Sequence, residues 1–262
     1  MALEPLSPAI AKTLVENIYL IASDVDGTLT QQGKFTPKLL AAFETLAQVG
    51  VKIILITGRS AGWVQALNHY LPVDGAIAEN GGLFYSSQDD TPEPLVSISN
   101  LTEHRQELAE IFEELKAQIP DLQESTDNRF RLTDWTFDVA GLSSAQLQIL
   151  AETCHDKDWG FTYSTVQCHI KLKAQDKANG LRKVLSEHFP ELSTEQILTI
   201  GDSPNDESLF QPDEFLNSVG VANILHYRDR LNYKPNYVTK EAEVNGFCEV
   251  VKLLESRQKS KS

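Results

Sequence analysis

Along the first 84 residues, short apolar runs alternate with segments of helical period. Residues 18–23 (IYLIAS) and 51–56 (VKIILI) are strand-length apolar runs, the pattern of strands buried on both faces. Between them, Leu39, Leu40, Phe43, Leu46 and Ala47 recur at helical spacing. Thr36-Pro37 predicts the N-cap and first residue of that helix, and Gly50 its stop. A second helix is predicted to end near Tyr70, and residues 76–78 read as a third strand. Strand–helix alternation of this kind predicts a parallel sheet with helices on both faces.

The pattern then changes. Residues 85–100 are polar and proline-bearing and read as a boundary or exposed loop. Residues 101–119 and 143–155 carry helical periodicity. Residues 129–140 and 159–173 are rich in aromatic residues, Thr and Val, and read as strands. The expectation is an inserted α+β unit over 85–172, with Trp135, Phe137, Trp159, Phe161 and Tyr163 in its core. The first pattern returns with a helix over 177–188, strands over 196–200 and 217–222, and a closing helix over 241–254. The predicted organisation is an N-terminal segment (1–17), a core in two parts (18–84 and 173–254), the inserted unit, and a frayed polar tail (255–262).

Charge narrows the functional classes. The 262 residues hold 23 Lys+Arg against 37 Asp+Glu, a net charge of −14. That sign disfavours nucleic acid and anionic membrane surfaces as partners, and no stretch approaches the ~20 apolar residues of a membrane span. The opening residues lack a basic region followed by an apolar run, so no signal peptide is expected. Three cysteines without a CxxC pair predict free, buried thiols and a cytoplasmic protein.

The chemistry collects where predicted strands end. Asp24 and Asp26 follow the first strand, Thr57, Gly58 and Arg59 the second, and Asp202, Asn205 and Asp206 a late one. Ligands bind beyond the carboxyl ends of parallel strands, so one crevice would receive four carboxylates. Their mutual repulsion raises pKa values unless a cation intervenes, and a hard divalent ion with oxygen ligands, Mg²⁺, is the economical solution. One carboxylate then remains as nucleophile and another as acid/base. Gly27 lets the backbone turn its N–H groups toward an anion.

Asp24-Val25-Asp26-Gly27-Thr28-Leu29-Thr30, Thr57-Gly58-Arg59, Lys177 and Gly201-Asp202-(x)₂-Asn205-Asp206 stand in the order of the haloacid dehalogenase superfamily. The chain resembles its large-capped Mg²⁺-dependent phosphatases, the branch of Cof-type, sucrose-phosphate and mannosyl-3-phosphoglycerate phosphatases. Glu79-Asn80-Gly81-Gly82, Val219-Gly220-Val221-Ala222-Asn223 and Tyr237-Val238-Thr239 resemble further elements of that branch, although Val221-Ala222-Asn223-Ile224 replaces its common Met-Gly-Asn-Ala. The resemblance implies a Rossmann-like core with an inserted cap. It implies that Asp24 attacks phosphorus and Asp26 serves as acid and base. Mg²⁺ would be held by Asp24, the Asp26 carbonyl and Asp202, with Asp206 in support. Thr57, Gly58, Lys177 and Asn205 would bind the phosphoryl group, with Lys173 a competitor for the Lys177 role.

A small phosphorylated metabolite, a sugar phosphate or sugar derivative, is the implied substrate of a monomer or homodimer. Arg129 and Arg131, expected on one strand face, together with His169 and Asn80, are the specificity candidates. Arg59 reads as a brace for a neighbouring carboxylate. Two alternatives remain open: a phosphosugar mutase using the same Asp pair, and a non-catalytic phospho-ligand-binding protein. A receiver-type signalling module fits less well, because its phosphorylated Asp follows a later strand.

Overall fold

A computed structural model describes residues 4–6 and 16–259. In chain order its strands are β1 (Glu4–Pro5), β2 (Leu20–Ser23), β3 (Lys52–Ile56), β4 (Gly75–Ala78), β5 (Leu83–Ser86), β6 (Asp89–Pro94), β7 (Asp134–Asp138), β8 (Trp159–Tyr163), β9 (Gln167–Leu172), β10 (Ile197–Gly201), β11 (Asn217–Gly220) and β12 (Tyr237–Val238). The α-helices are α1 (Pro37–Gln48), α2 (Ala61–Tyr70), α3 (Leu101–Gln118), α4 (Ser144–Asp156), α5 (Lys177–His188) and α6 (Glu243–Lys259).

Nine strands form the core sheet in the order β1-β12-β11-β10-β2-β3-β4-β5-β6. β1 through β4 run parallel along this order, as the alternating pattern predicts, and helices cover both faces. In β2, successive side chains enter opposite cores. Ile21 packs with Leu55, Phe43 and Phe247 on one face, while Leu20 and Ala22 pack with Ile56, Leu181 and Val184 on the other. A strand clothed on both sides must read as one apolar run.

Pro37 opens α1 and Thr36 stands at its N-cap, but the Thr36 side chain makes no capping hydrogen bond. The sheet continues beyond the boundary expected at residue 84. β5 pairs antiparallel with β4, and β6 with β5, so the polar residues to Pro94 form a sheet edge rather than a loop. Polar and proline residues suit an edge strand, which explains why composition misleads there. The polar tail is corrected likewise: α6 runs through Lys259, since Ser, Arg, Gln and Lys are all compatible with a helix. Residues 260–262 and most of 1–17 lie outside the described residues.

Between β6 and α5 stands the cap, an antiparallel sheet in the order β7-β9-β8 with α3 and α4 against it. Its core joins Phe112, Phe137, Leu150 and Ile170, with Trp135, Trp159, Phe161 and Tyr163 packed around them. Cys154 and Cys168 are buried here as free thiols. The strand expected from residue 129 begins only at Asp134, so Arg129 and Arg131 do not share a strand face. The Asn128 side chain causes this: its Nδ2 donates to the Thr136 carbonyl (2.8 Å) and its Oδ1 accepts from the Thr136 N–H (2.9 Å). A side chain that satisfies a strand's backbone groups bends its own backbone away, here into a 3₁₀ turn over Asn128–Phe130.

The cap returns to the core through a close approach. Gly81 has φ 101°, and a Cβ there would overlap the Asp176 carbonyl oxygen, one residue before α5. Gly81→Ala is expected to lower the unfolding free energy by about 2–3 kcal/mol. Urea denaturation checks this; a loss below about 0.5 kcal/mol contradicts it.

Candidate active site

The strand order brings the polar strand ends together. β2 lies between β10 and β3, with Ser23 paired to both Ile200 and Leu55. The next residues, Asp24, the 201–202 turn and Thr57, therefore emerge side by side, and the Asp24 N–H donates to the Ile200 carbonyl (2.9 Å). α5 contributes Lys177 from its first turn.

Lys177 organises the cluster. Its Nζ donates to Asp24 Oδ1 and to Asp206 Oδ1, both at 2.6 Å, and all three side chains are buried. The other Asp206 oxygen, Oδ2, accepts from the backbone N–H groups of Asp202 (2.8 Å) and Ser203 (3.1 Å), holding that turn. Asn223 Nδ2 donates to Asp202 Oδ2 (2.7 Å) and to the Gly27 carbonyl (3.0 Å), tying the two acidic loops together. A Cβ on Gly27 would overlap Asp202, and its φ of 85° also favours glycine. Asp24 Oδ2, by contrast, is buried without a hydrogen-bond partner. One oxygen each from Asp24, Asp202 and Asp206 lie within 4.8 Å of one another, an arrangement that can hold a metal ion.

Burial, opposed by Lys177 and aided by Asp206, pushes the Asp24 carboxyl up to about 7. Asp202 also rises, through burial and then the charges of Asp24 and Asp206. Burial alone would lower the Lys177 ammonium, but the charges of Asp206 and Asp24 outweigh it and hold the pKa above its usual range. Lys173 sits elsewhere, pairing with Asp158 at 2.7 Å, so Lys177 and not Lys173 enters the cluster.

Asp26 stands beside this cluster. Arg59 grips both its oxygens, Nε to Oδ2 (2.8 Å) and Nη2 to Oδ1 (2.7 Å), and lies 4.8 Å over the Trp63 ring. This is the bracing expected of Arg59. Thr57 is buried, its Oγ1 accepting from the Arg59 N–H (3.1 Å). Asn205 Nδ2 donates to Asn80 Oδ1 (3.1 Å), which brings those two together.

The cap closes over these groups. Asp24, Asp26, Thr57 and Arg59 from the core and Gln167 and His169 from the cap are among the residues bounding a cavity of about 10 Å³, room for roughly one water molecule. An adjoining cleft of about 250 Å³ reaches Lys177, Asn205, Lys171 and Tyr233. Larger surface grooves elsewhere, such as one of 670 Å³ between α1 and α6, lack the buried carboxylates.

Sequence reasoning missed the cap–core interlock. Arg131 is buried: Nη1 donates to the Gly58 carbonyl (2.9 Å) and to both Asp134 oxygens, and Nη2 to Asp127 (3.0 Å) and Gln167 (2.9 Å). Arg129 is instead exposed, stacked 4.7 Å over Phe130. Glu79, buried with φ 52°, accepts from the backbone N–H groups of Ala61, Leu132 and Thr133. Burial, with Asp134 adding to it, raises its carboxyl to about 7. The available signal was the Arg131/Asp134 spacing of three, but spacing alone does not distinguish a buried pair from a solvated one.

Residues 21–128 match the haloacid dehalogenase-like hydrolase family. The chain is 30% identical over 238 residues to a phosphoglycolate phosphatase of Methanothrix thermoacetophila, across 89% of this chain and 96% of that one. It is 28% identical to phosphoglycolate phosphatase 1 of Saccharolobus solfataricus, across 90% and 96%. Among solved structures, a Thermoplasma acidophilum protein superposes with a TM-score of 0.72 at 21% identity, covering 91% of this chain and 98% of that one. The sucrose-phosphatase of Synechocystis sp., solved with sucrose and phosphate, gives 0.66 at 17% identity, covering 91% and 98%. Those likenesses share the fold.

Asp24 and Glu79 have folded-state pKa values near 7 against ordinary values of 3.8 and 4.5. The folded state thus holds more protons than the unfolded state between those limits. Their stabilising contribution is complete below the ordinary values and is lost as pH rises through about 7. Chelator-treated protein is expected to lose stability from pH 5 to pH 8 in urea titrations, with a shallower slope for Glu79→Gln; a stability that rises over this range contradicts the assignment.

Proposed function

We propose that this chain, which belongs to the haloacid dehalogenase-like hydrolases and is a phosphatase of that type, hydrolyses a small phosphomonoester through a phosphoryl group carried on Asp24. The observation that carries this reading is the asymmetry of Asp24. Lys177 holds one oxygen, while the other is buried with no partner. A carboxylate fixed through one oxygen and unsatisfied at the other is aimed as a nucleophile.

In the first step the free Asp24 oxygen bonds to phosphorus and the bond from phosphorus to the leaving oxygen breaks. Asp26 gives that oxygen a proton. In the second step water attacks phosphorus, Asp26 takes the water's proton, and the Asp24 carboxylate departs as inorganic phosphate forms. Arg59 orients Asp26 and leaves each carboxylate oxygen a second lone pair, which is where the proton given in the first step and regained from water in the second would be carried. Lys177 offsets phosphoryl charge, Thr57 and the Gly58 backbone face the same cavity, and Asn205 borders it.

The donor set fits Mg²⁺. With all three ionised, Asp24, Asp202 and Asp206 exceed the charge of Lys177 by two; burial first, and then the neighbouring carboxylates, raise the pKa values of Asp24 and Asp202. A cluster of hard carboxylate oxygens within 4.8 Å of one another suits a hard dication. Asp24, Asp202 and the Asp26 carbonyl would hold it. Both Asp206 oxygens are engaged by Lys177 and the 202–203 backbone, so Asp206 acts by supporting those groups. The ion would neutralise charge on the phosphoryl oxygens and on Asp24.

The substrate reading is a phosphorylated sugar or sugar derivative of small size, in keeping with the tight cavity. A second reading, phosphoglycolate, is favoured by the names of the two relatives. A cytoplasmic setting fits the free thiols; among the described residues no helix is long and apolar enough to cross a membrane.

Phosphate release from a panel of phosphomonoesters is expected to stop with EDTA, return with Mg²⁺, and fall by about 10³-fold or more in Asp24→Asn. Activity within tenfold of native in that variant rules Asp24 out as nucleophile. A strict need for a bisphosphate activator would instead identify a mutase. Mg²⁺ is expected to raise the thermal midpoint more at pH 8 than at pH 5.5, because it binds ionised carboxylates that protons occupy at low pH. An equal shift at both pH values contradicts the assigned ligands.

A further inference from the structure

Large aromatic side chains gather on one surface of the core. Trp63 and Tyr70 stand on α2, and Phe35 lies just before α1; with Leu67 they line an open groove of about 430 Å³. Phe130 of the cap borders it, its Cβ 3.4 Å from where a Cβ on Gly62 would stand. Phe35 is 42% exposed, Trp63 50%, Tyr70 82% and Phe130 48%. Scattered exposed apolar residues need no explanation, but a contiguous aromatic patch marks a contact surface.

The charge pattern indicates what covers it. Between Asp26 and Asp74 the chain has one acidic residue, Glu44, although it has 37 among 262 residues. The segments that supply the groove, 27–43 and 60–73, therefore carry none. The carboxylates that bound these segments are paired: Asp26 with Arg59 at 2.7 Å and Asp74 with Lys52 at 3.4 Å. In the cap turn before Phe130, Asp127 is paired with Arg131 at 3.0 Å. Two copies of a chain with net charge −14 repel one another over most approaches. They can meet where an apolar face offers no carboxylate. The composition fits as well, since interface cores are rich in Trp, Tyr, Phe and Arg and poor in Asp and Glu. Arg129, stacked 4.7 Å over Phe130, stands at the margin, where it would face the acidic body of a second copy. A foreign acidic segment would instead need a row of free cations, and Arg59 is already engaged by Asp26.

We propose that this face docks a second copy of the chain, patch against patch about a two-fold axis, with Trp63 and Tyr70 at its centre and Arg129 at its rim. The Arg59 guanidinium lies 4.8 Å over the Trp63 ring, so the docked copy also covers the support of the Asp26 brace.

Sedimentation equilibrium of the full chain, loaded from about 1 to 200 µM, tests this. The native protein is expected to dimerise with a Kd of roughly tens of micromolar or tighter. The dimer is expected to tighten as NaCl rises from about 0.05 to 0.5 M, because salt screens the repulsion between two acidic bodies and leaves apolar contact intact. Tyr70→Glu places a charge at the centre of the face and is expected to weaken dimerisation at least about tenfold, whereas Tyr70→Phe keeps the dimer. Tyr70 is 82% exposed, so neither variant disturbs the core, and circular dichroism melts verify this. A native protein monomeric through about 200 µM at both salt concentrations overturns the proposal and leaves the face to a foreign partner. A dimer that weakens as salt rises, or one whose Kd is unchanged in folded Tyr70→Glu, also overturns it. The native measurements need no variant to fold.

Discussion

One buried ammonium holds apart carboxylates that would otherwise repel one another. Lys177 reaches Asp24 and Asp206 at 2.6 Å, with Asp202 beside them, and all four side chains are sheltered from water. Breaking such a buried arrangement by removing one partner costs roughly 3–5 kcal/mol, because the remaining charges stay desolvated. The fold supplies what this cluster requires. The order β10-β2-β3 places three acidic or polar strand ends together, and α5 begins where its first residue can enter between them. The same arrangement leaves one Asp24 oxygen without a partner, so the group that strains the fold is also the group with unused reactivity.

The cap is joined to this centre by buried polar contacts rather than by apolar packing alone. Arg131 reaches the Gly58 carbonyl, and Glu79 accepts from Leu132 and Thr133. Arg131 crosses from one unit to the other as a charged group with several partners, and Glu79 as a buried carboxyl with several donors. Charged hydrogen bonds of this kind contribute more than neutral ones when made and cost more when broken. With these contacts made, the cavity between cap and core leaves space for little more than a water molecule. The larger adjoining space is the cleft beside Asn205 and Lys171.

Much of the core was legible in the sequence because its signals are local. Residues 20–23 and 52–56 read as apolar runs since both faces are covered, and Asp24, Thr57 and Asp202 stand out because they interrupt such runs at strand ends. β5 and β6 were not legible: an antiparallel edge exposes polar residues and tolerates Pro94, so composition resembles a loop. Arg131 shows a harder limit. Its sequence neighbours suggest a strand, but the Asn128 side chain replaces strand hydrogen bonds and turns the guanidinium inward. That outcome depends on Thr136, Asp134 and Gln167 arriving from elsewhere in the chain, which periodicity does not encode. The Asn223 bridge between Gly27 and Asp202 is of the same kind.

The most direct test is chemical trapping of the phosphorylated residue. Native protein is acid-quenched during steady-state turnover, reduced with borohydride, digested, and analysed by mass spectrometry. An acyl phosphate on Asp24 is converted to homoserine, so the account predicts that product at position 24 and its absence in Asp24→Asn. Turnover without reduction at Asp24, or reduction at Asp26, Asp202 or Asp206 instead, contradicts it.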